Sequence, residues 1–129
     1  MREPLRTLII EDSEDDTELV VYELRKAGYE VTYERVDTPD ALITALESKS
    51  WDIILSDHSM PGFSGTSALK FVRERAGDIP FIVVSGSISE DAAVAMMKAG
   101  AHDYFYKGNI ARLVPAVQRE LHEAHERMQ

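Results

Sequence analysis

The sequence predicts an α/β domain: a single doubly wound parallel sheet of five strands with five helices. Short apolar runs alternate with helical patterns about five times along the 129 residues, a rhythm typical of βαβ units. Three of the runs are continuous rather than alternating, which indicates strands buried on both faces. A chain of this length forms one domain, and we therefore treat residues 1–129 as a single folding unit.

The pattern within each apolar run predicts the place of its strand in the sheet. The alternating run at residues 31–36 is expected to be an edge strand with one solvated face. The last strand is expected at residues 104–106. Continuous runs, which predict central strands, occupy residues 8–10, 53–55 and 81–84.

Helical spacing and capping residues predict the five helices. Residues 14–27 carry apolar side chains at i, i+4 and i+7, and Gly28 offers a C-terminal stop. Thr38 and Pro39 are a cap and a first-turn residue for the second helix. The others are expected over about residues 65–75, from residue 89 or 90 to 99, and from about residue 112, 113 or 114 onward. Residues 124–129 are polar enough for a frayed end or the start of a linker.

Composition argues against several classes of function. The formal net charge is −9, and no basic stripe is visible that could attract a phosphate backbone, so we expect no direct binding of nucleic acid. No apolar run approaches the ~20 residues of a membrane span and no signal peptide is recognised, so we expect no membrane partner and a cytoplasmic location. The absence of cysteine excludes a thiolate nucleophile and cysteine-based metal sites.

Chemically reactive side chains follow four of the runs, at the edge where parallel strands end. They are Glu11 and Asp12, Asp57, Ser85 and Lys107. If the first and third strands are neighbours, three carboxylates converge, and close carboxylates repel unless a cation intervenes. Hard oxygen ligands with few protein contacts are typical of Mg²⁺. A Mg²⁺ beside a carboxylate nucleophile, a lysine and a hydroxyl indicates phosphoryl transfer, with an aspartyl phosphate formed on Asp57.

A longer set of motif positions surrounds these residues. It comprises the pair Glu11 and Asp12, the motif Asp57, Met60, Pro61 and Gly65, the hydroxyl residue Ser85, the aromatic residue Tyr104 and the lysine Lys107. In this order and at strand ends, the set resembles the receiver domain of two-component response regulators, and the resemblance covers essentially the whole chain. It implies a flavodoxin-like strand order 2-1-3-4-5 and a signalling module, not a turnover enzyme.

The resemblance also implies a role for each residue of the site. Asp57 would accept a phosphoryl group from a histidine kinase or a phosphotransfer protein. Mg²⁺ would be bound by Asp12 and Asp57 directly, by Glu11 mainly through water and by the backbone carbonyl of Ser59. Lys107 would pair with Asp57 or with the phosphoryl oxygens. An output domain would follow if the chain is part of a longer parent.

The resemblance further implies a switch. Ser85 would hydrogen-bond a phosphoryl oxygen and draw its loop inward, and Tyr104 would turn into the space that this frees. The changed surface would be that of the fourth helix, fifth strand and fifth helix. Ser59 and Ser87 stand at positions that flank the path of the hydrolytic water in this family.

The sequence departs from the family pattern most clearly after Lys107. Gly108 stands where the family usually has a proline in a cis peptide. A cis bond before a non-proline residue costs about 2.5 to 4 kcal/mol, so we expect a trans bond, with glycine absorbing unusual dihedrals. Glu11 replaces the commoner Asp, and Ser85 replaces the commoner Thr, with its hydroxyl retained.

Other interpretations stay open at this stage. The acidic run at residues 11–18, six carboxylates in eight positions, is also typical of a solvated face. The same fold could be a phosphorylation-independent interaction module that uses its fourth and fifth helices. It could also be a Mg²⁺-dependent phosphohydrolase, although that reaction lacks a second acid just after Asp57, where His58 and Ser59 stand.

Overall fold

A parallel five-stranded sheet lies at the centre of the protein, in the order β2-β1-β3-β6-β7. The computed structural model describes residues 2–86 and 90–127. The strands are β1 Glu3–Ile10, β2 Tyr29–Val36, β3 Ile53–Ser56, β4 Ser59–Met60, β5 Phe63–Ser64, β6 Phe81–Ser85 and β7 Asp103–Tyr106. β4 and β5 form a separate two-stranded antiparallel hairpin that the sequence did not predict. The five strands of the main sheet follow the expected flavodoxin-like order, which is confirmed.

Within residues 2–86 and 90–127, five α-helices connect the strands, as predicted. They are α1 Glu14–Lys26, α2 Pro39–Ser48, α3 Gly65–Ala76, α4 Glu90–Lys98 and α5 Leu113–Arg127. The side chains of Ser13, Thr38 and Ser64 cap α1, α2 and α3 by accepting a backbone N–H from the first turn. None of the helices in the described ranges is long and apolar enough to cross a membrane.

Apolar side chains cover both faces of the sheet, so the central strands are buried as expected. One face packs against α2, α3 and α4 and the other against α1 and α5. The first core cluster is the set of buried side chains between the sheet and α2, α3 and α4, and the second is the set between the sheet and α1 and α5. Along β6, Phe81 and Val83 belong to the first cluster, while Ile82 and Val84 belong to the second. The sheet is therefore a rigid platform whose carboxyl edge presents the polar side chains.

The segment after β7 starts α5 through a short 3₁₀ helix, Lys107–Arg112. The Lys107–Gly108 peptide is trans, because the described residues contain no cis bond, and this prediction is confirmed. The expectation of unusual dihedrals at Gly108 is wrong: it does not have a positive φ, and Asn109 is the residue that leaves helical geometry in this segment. A Cβ at position 108 would instead overlap the ring of Tyr106. Glycine is thus needed for side-chain packing.

The C-terminal part of α5 contacts the rest of the domain. Residues 124–127 belong to the helix, and Nε of Arg127 lies 3.0 Å from Oδ2 of Asp78. The linker expected from residue 124 onward stays a prediction, and residues 128–129 lie outside the described residues.

The amino-terminal edge of the sheet is held by Arg73 and His102. Nδ1 of His102 accepts the Phe81 N–H at 3.1 Å, and Nε2 lies 3.4 Å from Oδ1 of Asp78. Burial, followed by the charges of Arg73 and Arg127, lowers the pKa of His102, and Asp78 opposes this. The guanidinium of Arg73 donates to the backbone carbonyls of Gly77, Ile79 and Gly100.

Candidate functional site

Three carboxylates meet at the carboxyl edge of the sheet. Glu11 and Asp12 follow β1, and Asp57 follows β3, the strand next to it, where Ile10 and Ser56 are partners. One oxygen from each carboxylate lies within 4.8 Å of the others. The structure therefore brings together the three acids that the sequence placed at neighbouring strand ends.

The carboxylate of Asp57 is held by its own backbone surroundings. The Asp57 N–H donates to the carbonyl of Ile10 at 2.8 Å, which continues the β1–β3 pairing by one residue. Oδ1 of Asp57 accepts the N–H of His58 at 2.8 Å, and the residue is only 9% exposed. One carboxylate oxygen is thus hydrogen-bonded to the backbone, and Oδ2 faces the lysine described below.

The loop after Asp57 is anchored by apolar side chains and by a glycine. Met60 and Phe63 pair across the β4–β5 hairpin, and both are buried. Between them, Gly62 has a φ of 69°, which suits a tight turn. A Cβ at Gly65 would lie 3.0 Å from the carbonyl oxygen of Asp57, so only glycine lets α3 begin this close. These contacts explain why Met and Gly stand three and eight positions after the aspartate.

Lys107 lies between three carboxylates. Its Nζ is 2.5 Å from Oε1 of Glu11, 2.7 Å from Oδ2 of Asp16 and 3.5 Å from Oδ2 of Asp57. The ion pair with Asp57 that the family resemblance implied is present, but it is the longest of the three. Sequence reasoning missed Asp16, although the residue precedes the buried Val20 by four positions and therefore lies on the inward face of α1.

The close approach of these charges shifts two pKa values. Burial raises the pKa of Glu11 to about 7, helped by the nearby charge of Asp57 and opposed by Lys107. Burial alone would lower the pKa of Lys107, but hydrogen bonds from its ammonium to Asp16 and Glu11 raise it. Independently of these shifts, four carboxylates, those of Glu11, Asp12, Asp16 and Asp57, outnumber the single positive charge of Lys107.

The donors present fit a divalent cation. Three hard carboxylate oxygens lie close together, which is the donor type that Mg²⁺ prefers. Asp12 is exposed, so solvent can reach the cluster and supply the water ligands that Mg²⁺ usually keeps. The backbone of Ser59 lies in β4.

Ser85 and Tyr104 occupy neighbouring strands at the same edge. Ser85 is buried at the end of β6, the strand that pairs with β3. Tyr104, on β7, packs against the first core cluster, and its ring centroid lies 6.3 Å from that of His58. The Tyr104 hydroxyl and Nδ1 of His58 are buried without a hydrogen-bond partner among the described residues. Ser87 lies outside the described residues.

Fold and site together define a class of protein. The family model described as "Response regulator receiver domain" matches residues 7–118, and the chain belongs to this family.

Individual relatives agree with this assignment. The chain is 39% identical over 105 residues to the sensory transduction protein RegX3 of Mycolicibacterium smegmatis, which covers 81% of this chain and 45% of that protein. It is 34% identical over 110 residues to the DNA-binding transcriptional regulator NtrC of Salmonella typhimurium, which covers 84% of this chain and 24% of that protein. The chain thus spans less than half the length of these two relatives.

A solved structure of similar fold bears on the metal. It is the receiver domain of a sensor histidine kinase from Pseudomonas aeruginosa PAO1, with a magnesium ion coordinated in the active site cleft. Its TM-score is 0.75 at 26% identity, and the match covers 92% of this chain and 98% of that one. Receiver domains of response regulators are signalling modules that generally do not turn over a substrate, and this chain belongs to that class.

Proposed function

We propose that this domain accepts a phosphoryl group on Asp57 from a phosphohistidine of a histidine kinase or phosphotransfer protein. The observation that carries the proposal is the buried Asp57 carboxylate, which lies beside two further carboxylates and within 3.5 Å of the Lys107 ammonium. An Asp57 oxygen attacks phosphorus, the new O–P bond forms, and the N–P bond breaks. The donor imidazole leaves with the electron pair of that bond.

The residues of the chain divide this work between them. Asp12, Asp57 and the Ser59 carbonyl would hold Mg²⁺, and Glu11 would contribute through water. When bound, Mg²⁺ neutralises charge on the phosphoryl oxygens. Lys107, whose Nζ lies 3.5 Å from Oδ2 of Asp57, would bring its ammonium to those oxygens.

Phosphorylation would be read out through a surface change. Ser85 would bind a phosphoryl oxygen, and Tyr104 would settle further into the core beside β6. The face formed by α4, β7 and α5 would then present a different surface to its partner, and its exposed side chains include Val94, Met97 and Tyr106. An output domain in a longer parent chain, and a cytoplasmic location, belong to the same proposal.

The experiment is incubation of the chain with Mg²⁺ and acetyl phosphate, followed by intact-mass measurement. We expect one phosphoryl adduct that requires Mg²⁺ and is absent in Asp57→Asn. The matched control is Asp40→Asn, which removes one exposed carboxylate from the first turn of α2 and should leave the adduct unchanged. If neither acetyl phosphate nor a phosphorylated kinase gives an adduct, the chain is a phosphorylation-independent interaction module. Rapid multiple turnover of the donor would indicate a phosphohydrolase instead.

A further inference from the structure

Lys107 has a close partner, Asp16, that does not follow a strand of the sheet. It lies in the first turn of α1, away from every strand end, and its Oδ2 is 2.7 Å from Nζ of Lys107. This is shorter than the 3.5 Å between Nζ and Oδ2 of Asp57. An acid from a helix therefore takes part in holding the lysine of the site.

Two of the three N–H donors of the Lys107 ammonium group are already hydrogen-bonded. A lysine ammonium has three N–H donors. Two of them are directed to Glu11 and Asp16, at 2.5 and 2.7 Å. The third N–H remains available toward Asp57, but Oδ2 of Asp57, at 3.5 Å from Nζ, is too far for a strong hydrogen bond. A phosphoryl group on Asp57 would bring an oxygen into this space.

We propose that Asp16 is a positioning residue, which together with Glu11 clamps the Lys107 ammonium so that its third N–H points to the phosphoryl group. This inference rests on the proposed function of Asp57. Lysine has a flexible four-carbon stem, and two charge-assisted hydrogen bonds remove most of that freedom before the donor arrives. A hydrogen bond to Glu11 alone would leave the ammonium free to rotate about that bond. Hydrogen bonds to both Glu11 and Asp16 also fix the direction of the third N–H.

The chain offers a matched control for Asp16. Asp15 is its neighbour in the same first turn of α1 and is exposed. Asp15→Asn and Asp16→Asn therefore remove the same charge from the same helix terminus, with the same effect on the helix dipole. They differ in the contact with Lys107.

The first test measures the clamp itself, on the unphosphorylated chain. The ammonium hydrogens of Lys107 are observed by ¹H–¹⁵N NMR and assigned by their loss in Lys107→Arg. We expect their exchange with water to be about twofold to fivefold faster in Asp16→Asn and unchanged in Asp15→Asn, because a partly exposed charged contact is worth about that factor. Equal exchange in Asp16→Asn and the parent chain would overturn the clamp.

The second test measures its consequence, as the rate of phosphorylation by acetyl phosphate with Mg²⁺. Asp16→Asn should slow the reaction by about twofold to fivefold, Asp16→Glu should restore most of the rate, and Asp15→Asn should match the parent. In a Lys107→Gln background, Asp16→Asn should have no further effect. An effect of the same size in that background would show that Asp16 does not act through Lys107.

The two proposals fail in different ways. No adduct on the parent chain overturns the proposed function of Asp57, and the NMR exchange rates still decide whether Asp16 holds Lys107. A parent chain that takes up the phosphoryl group as fast as Asp16→Asn overturns the role of Asp16 alone. Urea unfolding of each variant separates a lost contact from a lost fold.

Discussion

Gly108→Ala tests why glycine follows the lysine of the site. The substitution adds one methyl carbon, which would overlap Cε2 of the Tyr106 ring and lie 2.9 Å from Cδ2. The backbone itself does not demand glycine, because the φ of Gly108 is not positive. The obstacle is the ring, which is 38% exposed and would have to shift to make room for the methyl group.

Two opposing effects set the magnitude. Overpacking of this kind costs about 1–3 kcal/mol. Replacing glycine by alanine where the native backbone allows it stabilises a protein by about 0.4–1 kcal/mol, because the unfolded chain loses freedom. Gly108→Ala should therefore destabilise the chain by about 1 kcal/mol. In a Tyr106→Ala background the overlap is gone, so the same substitution should stabilise by about 0.4–1 kcal/mol.

Urea unfolding of the four proteins, followed by circular dichroism, measures this double-mutant cycle. A change of about 1 kcal/mol shifts the midpoint by roughly 0.3–1 M urea, and the coupling between the two sites should be about 1–3 kcal/mol. If Gly108→Ala destabilises equally in both backgrounds, the backbone and not the Tyr106 ring requires glycine, and the reasoning is refuted.

Three further predictions test other parts of the structure, all by urea unfolding. Gly65→Ala should cost about 1–3 kcal/mol, because its Cβ would meet backbone atoms at 3.0 Å. Gly86→Ala, whose Cβ would meet a side-chain carbon at 3.8 Å and no other atom within 4 Å among the described residues, should change little. Tyr104→Phe should stabilise by about 1 kcal/mol, because it removes a buried hydroxyl without a partner among the described residues; a loss of stability would show that the hydroxyl is bonded. In the folded chain the pKa of His102 is lowered from its ordinary 6.5. As the pH falls below about 6.5, His102 is therefore protonated in the unfolded chain before it is protonated in the folded chain, and the free energy of unfolding decreases; above about pH 6.5 this loss is absent. His102→Asn, which keeps an acceptor for the Phe81 N–H, should flatten this dependence, and an unchanged pH profile would contradict the assignment.

The sheet could be predicted from the sequence because its signals are local. A continuous apolar run of three or four residues indicates a strand that is covered on both faces, and this pattern placed β1, β3 and β6 at the centre of the sheet. The convergence of Glu11, Asp12 and Asp57 then followed from the rule that parallel strands end at one edge. Neither inference needs the orientation of a single side chain.

The parts that were missed depend on side-chain direction and on very short pairings. The β4–β5 hairpin has two residues in each strand, too few for an alternating pattern to indicate a strand. The contact of Tyr106 with Gly108 depends on the rotamer of one aromatic ring. Asp16 had a signal, its spacing to Val20, but the acidic run around it is equally typical of a solvated face.

Backbone donors explain how the fold can hold several acids together at one edge. Oε2 of Glu11 accepts the N–H groups of Asp12 and Ser13 at 3.0 and 3.4 Å, and Oδ1 of Asp57 accepts that of His58. These N–H donors belong to the turns that follow β1 and β3. The same turns that bring the carboxylates together therefore stabilise part of their negative charge by hydrogen bonding. Lys107 compensates another part, and burial still raises the pKa of Glu11 to about 7. The charge that is left uncompensated is what a divalent cation and the phosphoryl chemistry proposed for Asp57 would use.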